Sequence, residues 1–340
     1  MTKKPTKKAT KTSAKPAPAK AIATKAIVRK ATATKAVATK TAATKTAATK
    51  ATATKPAATD TPAKTAKTAK SDRVYIGIGG WTFEPWRGVF YPQGLAHAKE
   101  LGYASERLTS IEVNGTFYRS QTPATFRKWA SEVPQGFVFS LKGPRFATNR
   151  RVLKEAGDSI KRFLDSGVTE LGDRLGPLLW QFAPTKKFDA ADFGGFLELL
   201  PDQYNGRSIR HVVEVRHDSF STPEFTSLLR QFKMPVVFTD HARYPNIADI
   251  TGDFVYARLQ RGQDTIVTAY PPKDIDAWAG RLQAWTKGGA PGDLPVIEPS
   301  AKPKAVPRDV FAYVIHEGKV RAPAGAIALI EKVALIEIIG

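Results

Sequence analysis

From residue 74 onward, apolar residues arrive in short runs bounded by Gly, Pro, Asn or Asp. Eight runs rich in Val, Ile, Phe and Tyr follow one another: "VYIGIGG" (74–80), "SIEVNGTFY" (110–118), "FVFSLKG" (137–143), "GPLLWQF" (176–182), "HVVEVRH" (211–217), "PVVFTD" (235–240), "FVYARL" (254–259) and "VFAYVIH" (310–316). Their composition is that of β-strands. Segments long enough for helices lie between most of them, at 122–133, 190–201, 222–233 and 274–285, and another, at 326–339, follows the last. Several open on Thr-Pro or Asp, as helix starts do. Strands alternating with helices predict βα units and a parallel sheet. Eight such units in roughly 270 residues predict a single (β/α)8, TIM-barrel-like domain over 71–340. An open doubly wound sheet is the alternative.

Strand side chains alternate between two faces. In "HVVEVRH" the charged Glu214 and Arg216 share one face, and Val213, Val215 and His217 the other. Phasing every strand by its polar residues gives an inward set: Glu112, Asn114 and Thr116; Ser140 and Lys142; Gln181; Glu214 and Arg216; Asp240; Tyr256 and Arg258; His316. Most lie in the C-terminal half of their strand, the end at which barrels build active sites. Three acids (Glu112, Glu214, Asp240) thus face three bases (Lys142, Arg216, Arg258). A structural ion-pair network accounts for such a cluster. Apolar residues fill a barrel as well or better, however, so a site for a polar or anionic ligand is the favoured reading.

Charge divides the chain. The 340 residues carry +21, yet residues 1–70 hold 18 Lys or Arg against one acid, Asp60. That segment is almost wholly Ala, Thr, Lys and Pro, without an aromatic residue, and is expected to be disordered. Its lysines recur every five residues, at Lys15, Lys20, Lys25, Lys30, Lys35, Lys40, Lys45, Lys50 and Lys55. On a helix that spacing spirals and makes no apolar stripe, which excludes a coiled coil or an amphipathic membrane helix. An evenly spaced polycation suits DNA or RNA, bound through phosphates without sequence reading. A solvated spacer and a transit peptide are the other readings. The composition resembles the tails of linker histones and bacterial histone-like proteins.

Cysteine is absent, which removes disulfides and thiolate chemistry. With no apolar run of about 20 residues and no signal-peptide core, no membrane partner is expected. A cytoplasmic, nucleoid-associated location is. No Walker loop, dinucleotide fingerprint, nucleophile elbow or metal-ligand spacing occurs, so no metal is expected and no cofactor is indicated. "GGWTFEPWRGVFYP" (79–92) follows the first strand, where a ligand-facing loop belongs. Gly79 and Gly80 there suit a close backbone approach or a plain turn, and Trp81 and Trp86 suit stacking on a ligand or core packing.

That segment, with "IEVNGTFYR" (111–119), "FSLKGPR" (139–145), "LLWQF" (178–182) and "EVRHDSF" (214–220), resembles the YecE-like family, domain of unknown function 72, across roughly residues 74–339. The resemblance implies a TIM-barrel-like fold and no assigned reaction. By motif position it points to Glu112, Asn114, Thr116, Phe117, Tyr118, Lys142, Arg145, Gln181, Glu214, Arg216, His217, Asp240 and Arg258. The chain departs from the family pattern at Thr148-Asn149, where Thr-His is usual. It departs again at Gln260-Arg261, where a His precedes the Gly, and at Ile315-His316-Glu317, where Phe-Asn-Asn is usual.

The expectation is therefore a barrel that acts on, or binds, a small anionic or sugar-like ligand. Glu112, Glu214, Asp240 and His316 are its candidate catalytic groups. Asn114, Tyr118, Lys142, Arg145, Gln181, Arg216 and Arg258 are its candidate substrate contacts. A nucleic-acid-associated protein whose barrel binds a ligand without chemistry is the second class.

Overall fold

A computed structural model describes residues 73–339. The expected disordered tail and its nine phosphate-binding lysines lie outside the described residues.

Eight parallel strands form the barrel: β1 (Val74–Gly79), β2 (Ser110–Val113), β3 (Val138–Lys142), β4 (Leu175–Gln181), β5 (His211–Glu214), β6 (Val237–Asp240), β7 (Val255–Arg261) and β8 (Val310–Glu317). Hydrogen-bonded neighbours run β5-β4-β3-β2-β1-β8-β7-β6. The ring closes where Val213 bridges Val236 and the Val213 N–H donates to the Pro235 carbonyl at 3.1 Å. A closed barrel, not the open sheet, is therefore the architecture. Closure removes the two unpaired edges an open sheet would expose.

Local chemistry starts the outer helices as expected. Thr122, Thr222 and Asp189 each accept a backbone N–H at the start of Pro123–Ser131, Pro223–Gln231 and Ala190–Glu198. Proline follows both threonines, at a position whose N–H has no intrahelical partner anyway. The helices Pro272–Thr286 and Ala322–Ile339 pack on each other outside β1 and β8. No helix among the described residues is long and apolar enough to cross a membrane.

Two strands end earlier than the sequence reading has them. β2 stops at Val113, and Gly115–Tyr118 form one helical turn instead of four more strand residues. The Thr116 hydroxyl holds that turn by donating to the Val113 and Lys142 carbonyls at 3.0 and 2.7 Å. β5 stops at Glu214, and the His217 ring accepts the Ser219 N–H at 3.1 Å to cap the turn Asp218–Phe220. No helix joins β6 to β7, because residues 241–254 carry Pro245, Asn246 and Gly252 among scattered polar positions.

Two apolar clusters result. The larger lies between strands and helices. The smaller fills the barrel, with Tyr75, Val138, Leu179, Val212, Val237, Tyr256, Phe311, Tyr313 and Ile315. Strands crowd closely enough that a Cβ on Gly77 would stand 1.9 Å from the Ser110 carbonyl oxygen, so only glycine fits. "GGWTFEPW" is a packed turn. Gly80 has φ +77° with open space around it, and Trp86 is buried against Phe83 and Tyr91 with its indole N–H on the Lys319 carbonyl. Trp81 packs edge-on against Trp129.

Candidate functional site at the barrel mouth

Polar groups rise through the barrel in layers. Ser110 and Tyr313 share a hydrogen bond of 2.7 Å, and Ser140 and Tyr256 one of 2.9 Å. Above them the Tyr256 hydroxyl donates to Glu112 Oε2 at 2.8 Å. Burial beside Glu112 pushes the Tyr256 phenol well above its ordinary range, so it remains a donor.

Arg258 links the two carboxylates. Its Nε and Nη2 each reach one oxygen of Glu112 at 3.0 Å, and its Nη1 reaches Glu214 Oε2 at 2.7 Å. Glu214 also accepts Gln181 Nε2 at 2.7 Å and Arg216 Nε at 2.9 Å. Burial pushes the Glu214 carboxyl up, but Arg258, Arg216 and Lys142 together outweigh it and hold it at about 2. Glu214 is thus ionised throughout the physiological range.

Lys142, at the end of β3, is different. The residue is 6% exposed, and its ammonium lies 4.4 Å from the centre of the Phe117 ring without a hydrogen-bond partner among the described residues. Burial, followed by repulsion from Arg258, lowers it to about 8, although Glu214 and Glu112 pull the other way. The inner cluster thus sets three cations (Lys142, Arg216, Arg258) against two carboxylates (Glu112, Glu214), leaving one positive charge in excess.

A second stack adjoins it. The Arg216 guanidinium lies over Tyr244 at 4.7 Å, Tyr244 stacks on His241 at 4.2 Å, and His241 meets His316 edge-on at 5.7 Å. Burial and the neighbouring His316 and Arg243 lower the His241 imidazole below its ordinary range.

Of the expected site residues, Glu112, Glu214, Lys142, Gln181, Arg216 and Arg258 converge. Asp240 does not. Val237 belongs to the barrel interior and Phe238 to the outer core, so alternation turns Asp240 outward with Phe238. There it pairs with Arg261 at 3.0 Å and lines a 440 Å³ pocket with Tyr270, Asp274 and Arg281, and burial raises its carboxyl. His316 stands at the strand end with φ +72°, half exposed and 3.3 Å from Glu317. Asn114 leads into the helical turn, with Nδ2 3.5 Å from the Glu112 carbonyl. Tyr118 is 69% exposed, and Arg145 is exposed at the start of the turn Arg145–Thr148. Sequence reasoning missed His241, Tyr244, Thr239 and Gln260 at the mouth. Only the inward phase of Gln260, two residues past Arg258, was there to find.

The pattern of the family described as "Protein of unknown function DUF72" matches residues 75–337. The chain belongs to the DUF72 family. The UPF0759 protein YunF of Bacillus subtilis is 28% identical over 160 residues, 45% of this chain and 54% of YunF, so the match spans about half of that relative's length. Among solved structures, a DUF72 protein of Thermotoga maritima superposes with a TM-score of 0.57 at 22% identity, over 78% of this chain and 99% of that one. One from Enterococcus faecalis gives 0.55 at 14% identity, over 77% and 97%. At such identities the likeness is one of fold. The DUF72 match covers every barrel strand except the first residue of β1, and with them the whole charge cluster.

Proposed function

We propose that the barrel mouth binds a small anion and that Lys142 is its principal proton-exchanging group. The observation that carries this reading is Lys142: a residue only 6% exposed whose ammonium has no hydrogen-bond partner among the described residues, in a cluster one positive charge in excess. An anion would supply the missing partner and offset the excess charge. Arg216, which uses only Nε on Glu214, has its terminal nitrogens available for the same ligand. Glu112, Arg258, Glu214 and Gln181 are the floor, which positions Arg216 through Glu214.

Glu214 is a poor general base here. Glu214 at about 2 has little affinity for a proton, whereas Lys142 at about 8 exchanges one near neutral pH. Proton abstraction beside a carbonyl or hydrolysis of a small anionic substrate fits that group. A second reading has a specific observation behind it. Glu112 and Glu214 are saturated by Arg258, Tyr256, Gln181 and Arg216, as in a binding protein without turnover. In that reading residues 1–70 bring a ligand-binding barrel to nucleic acid through their phosphate-binding lysines.

Thermal shift with phosphate- and carboxylate-bearing small molecules tests the anion reading. Wild type should be protected by members of the set, and Lys142→Met and Arg216→Met should lose that protection while keeping the fold. Protection equal in all three proteins would refute it. Turnover of a protecting compound, abolished in Lys142→Met, separates enzyme from binding protein.

A further inference from the structure

Two polar side chains inside the barrel lack partners among the described residues. Gln260 on β7 is 1% exposed, and neither Oε1 nor Nε2 is hydrogen-bonded. Thr239 on β6 is as deeply buried, and its Oγ1 is also unpaired. Alternation points both inward: Thr239 shares the face of Val237, and Gln260 that of Tyr256 and Arg258. β6 and β7 are paired neighbours, with Thr239 opposite Arg258. Thr239 is thus level with Arg258 of the ion-pair floor, and Gln260 stands one pleat nearer the mouth.

Buried polar groups without partners cost stability, and apolar residues of similar shape would relieve it. Their chemistry indicates what would satisfy them. An anion accepts hydrogen bonds only and would be repelled by the Gln260 carbonyl oxygen. A hydroxyl both donates and accepts, and so complements an amide beside a threonine.

We infer that Gln260 and Thr239 recognise a hydroxyl of the same ligand whose anionic group sits on Lys142 and Arg216. The ligand is then a hydroxylated anion, such as a hydroxy acid or sugar phosphate. This rests on the anion-binding reading above. A site built to hydrogen-bond a hydroxyl discriminates strongly against the analogue lacking it.

Calorimetry on the full chain with two matched pairs tests the inference: glycerol 3-phosphate against propyl phosphate, and gluconate against hexanoate. Wild type should bind the hydroxylated member of at least one pair about tenfold or more tightly. Gln260→Leu and Thr239→Val should each drive that ratio toward one by weakening the hydroxylated member, and should raise the ligand-free Tm. Gln260→Met, closer in shape, replaces the leucine variant if that does not fold. A ratio near one in wild type, a ratio kept by both variants, or a lowered ligand-free Tm in both overturns this inference and leaves anion binding standing. No binding of any of the four compounds to wild type overturns both.

Discussion

Arg258 and Glu112 form a two-pronged ion pair within the barrel, Nε and Nη2 each 3.0 Å from a different carboxylate oxygen. The third nitrogen of the same guanidinium holds Glu214, so one arginine bridges two fully buried acids. Arg258→Met should therefore cost roughly 3–5 kcal/mol at pH 7, the usual penalty for stranding a buried charge. Urea unfolding measures it, and the deficit should narrow on acidification, as the stranded carboxyls protonate. A loss below about 1 kcal/mol at pH 7 would mean that the pair contributes little.

Glu214 has a folded value of about 2 against an ordinary 4.5. Between those values the unfolded chain binds more protons, so the stability Glu214 adds is present above pH 4.5 and is lost as pH falls toward 2. Wild type should consequently lose more stability over that window than Glu214→Gln, which has no proton to gain. Parallel acid profiles for the two proteins would contradict this.

Lys142 works in the alkaline range. Its folded value of about 8 lies below the ordinary 10.5, so between them the unfolded chain again holds more protons. Stability contributed through Lys142 should rise with pH across that window, by at most about 1.4 kcal/mol per pH unit. The difference between wild type and Lys142→Met isolates it from the tyrosines. Anion protection should show the opposite trend and fade as pH passes 8, because the ammonium discharges.

Asp240 offers a negative control. It faces the outer pocket and pairs with Arg261, so Asp240→Asn should leave anion protection at the mouth intact. Loss of protection in this variant, with the fold retained, would place it in the site after all.

Residues 1–70, with 18 basic residues and one acid, should bind duplex DNA or RNA without sequence preference. If six to ten lysines reach phosphates, affinity should fall on the order of 10³ to 10⁵ between about 50 and 200 mM salt. Electrophoretic shifts at both salt concentrations, comparing the full chain with one starting at Ser71, measure this. Equal binding by the shortened chain would make the segment a spacer.

Local rules sufficed for much of this protein. The Thr-Pro helix starts depend on neighbouring residues only, and alternation within a strand is local too. Glu112, Ser140, Lys142, Gln181, Glu214, Tyr256 and Arg258 were therefore legible as an inward set. Alternation failed at β6, because Val237 and Phe238 are both apolar: a strand buried on two faces loses its period of two, and Asp240 was assigned to the wrong side. Pairing lay beyond sequence altogether. Arg258 finds Glu112 146 residues away and Glu214 44 away, and those choices leave Lys142 without an acid of its own among the described residues. The unpaired state of Gln260 and Thr239 is likewise a property of the closed barrel, since it depends on which groups seven other strands fail to bring within reach.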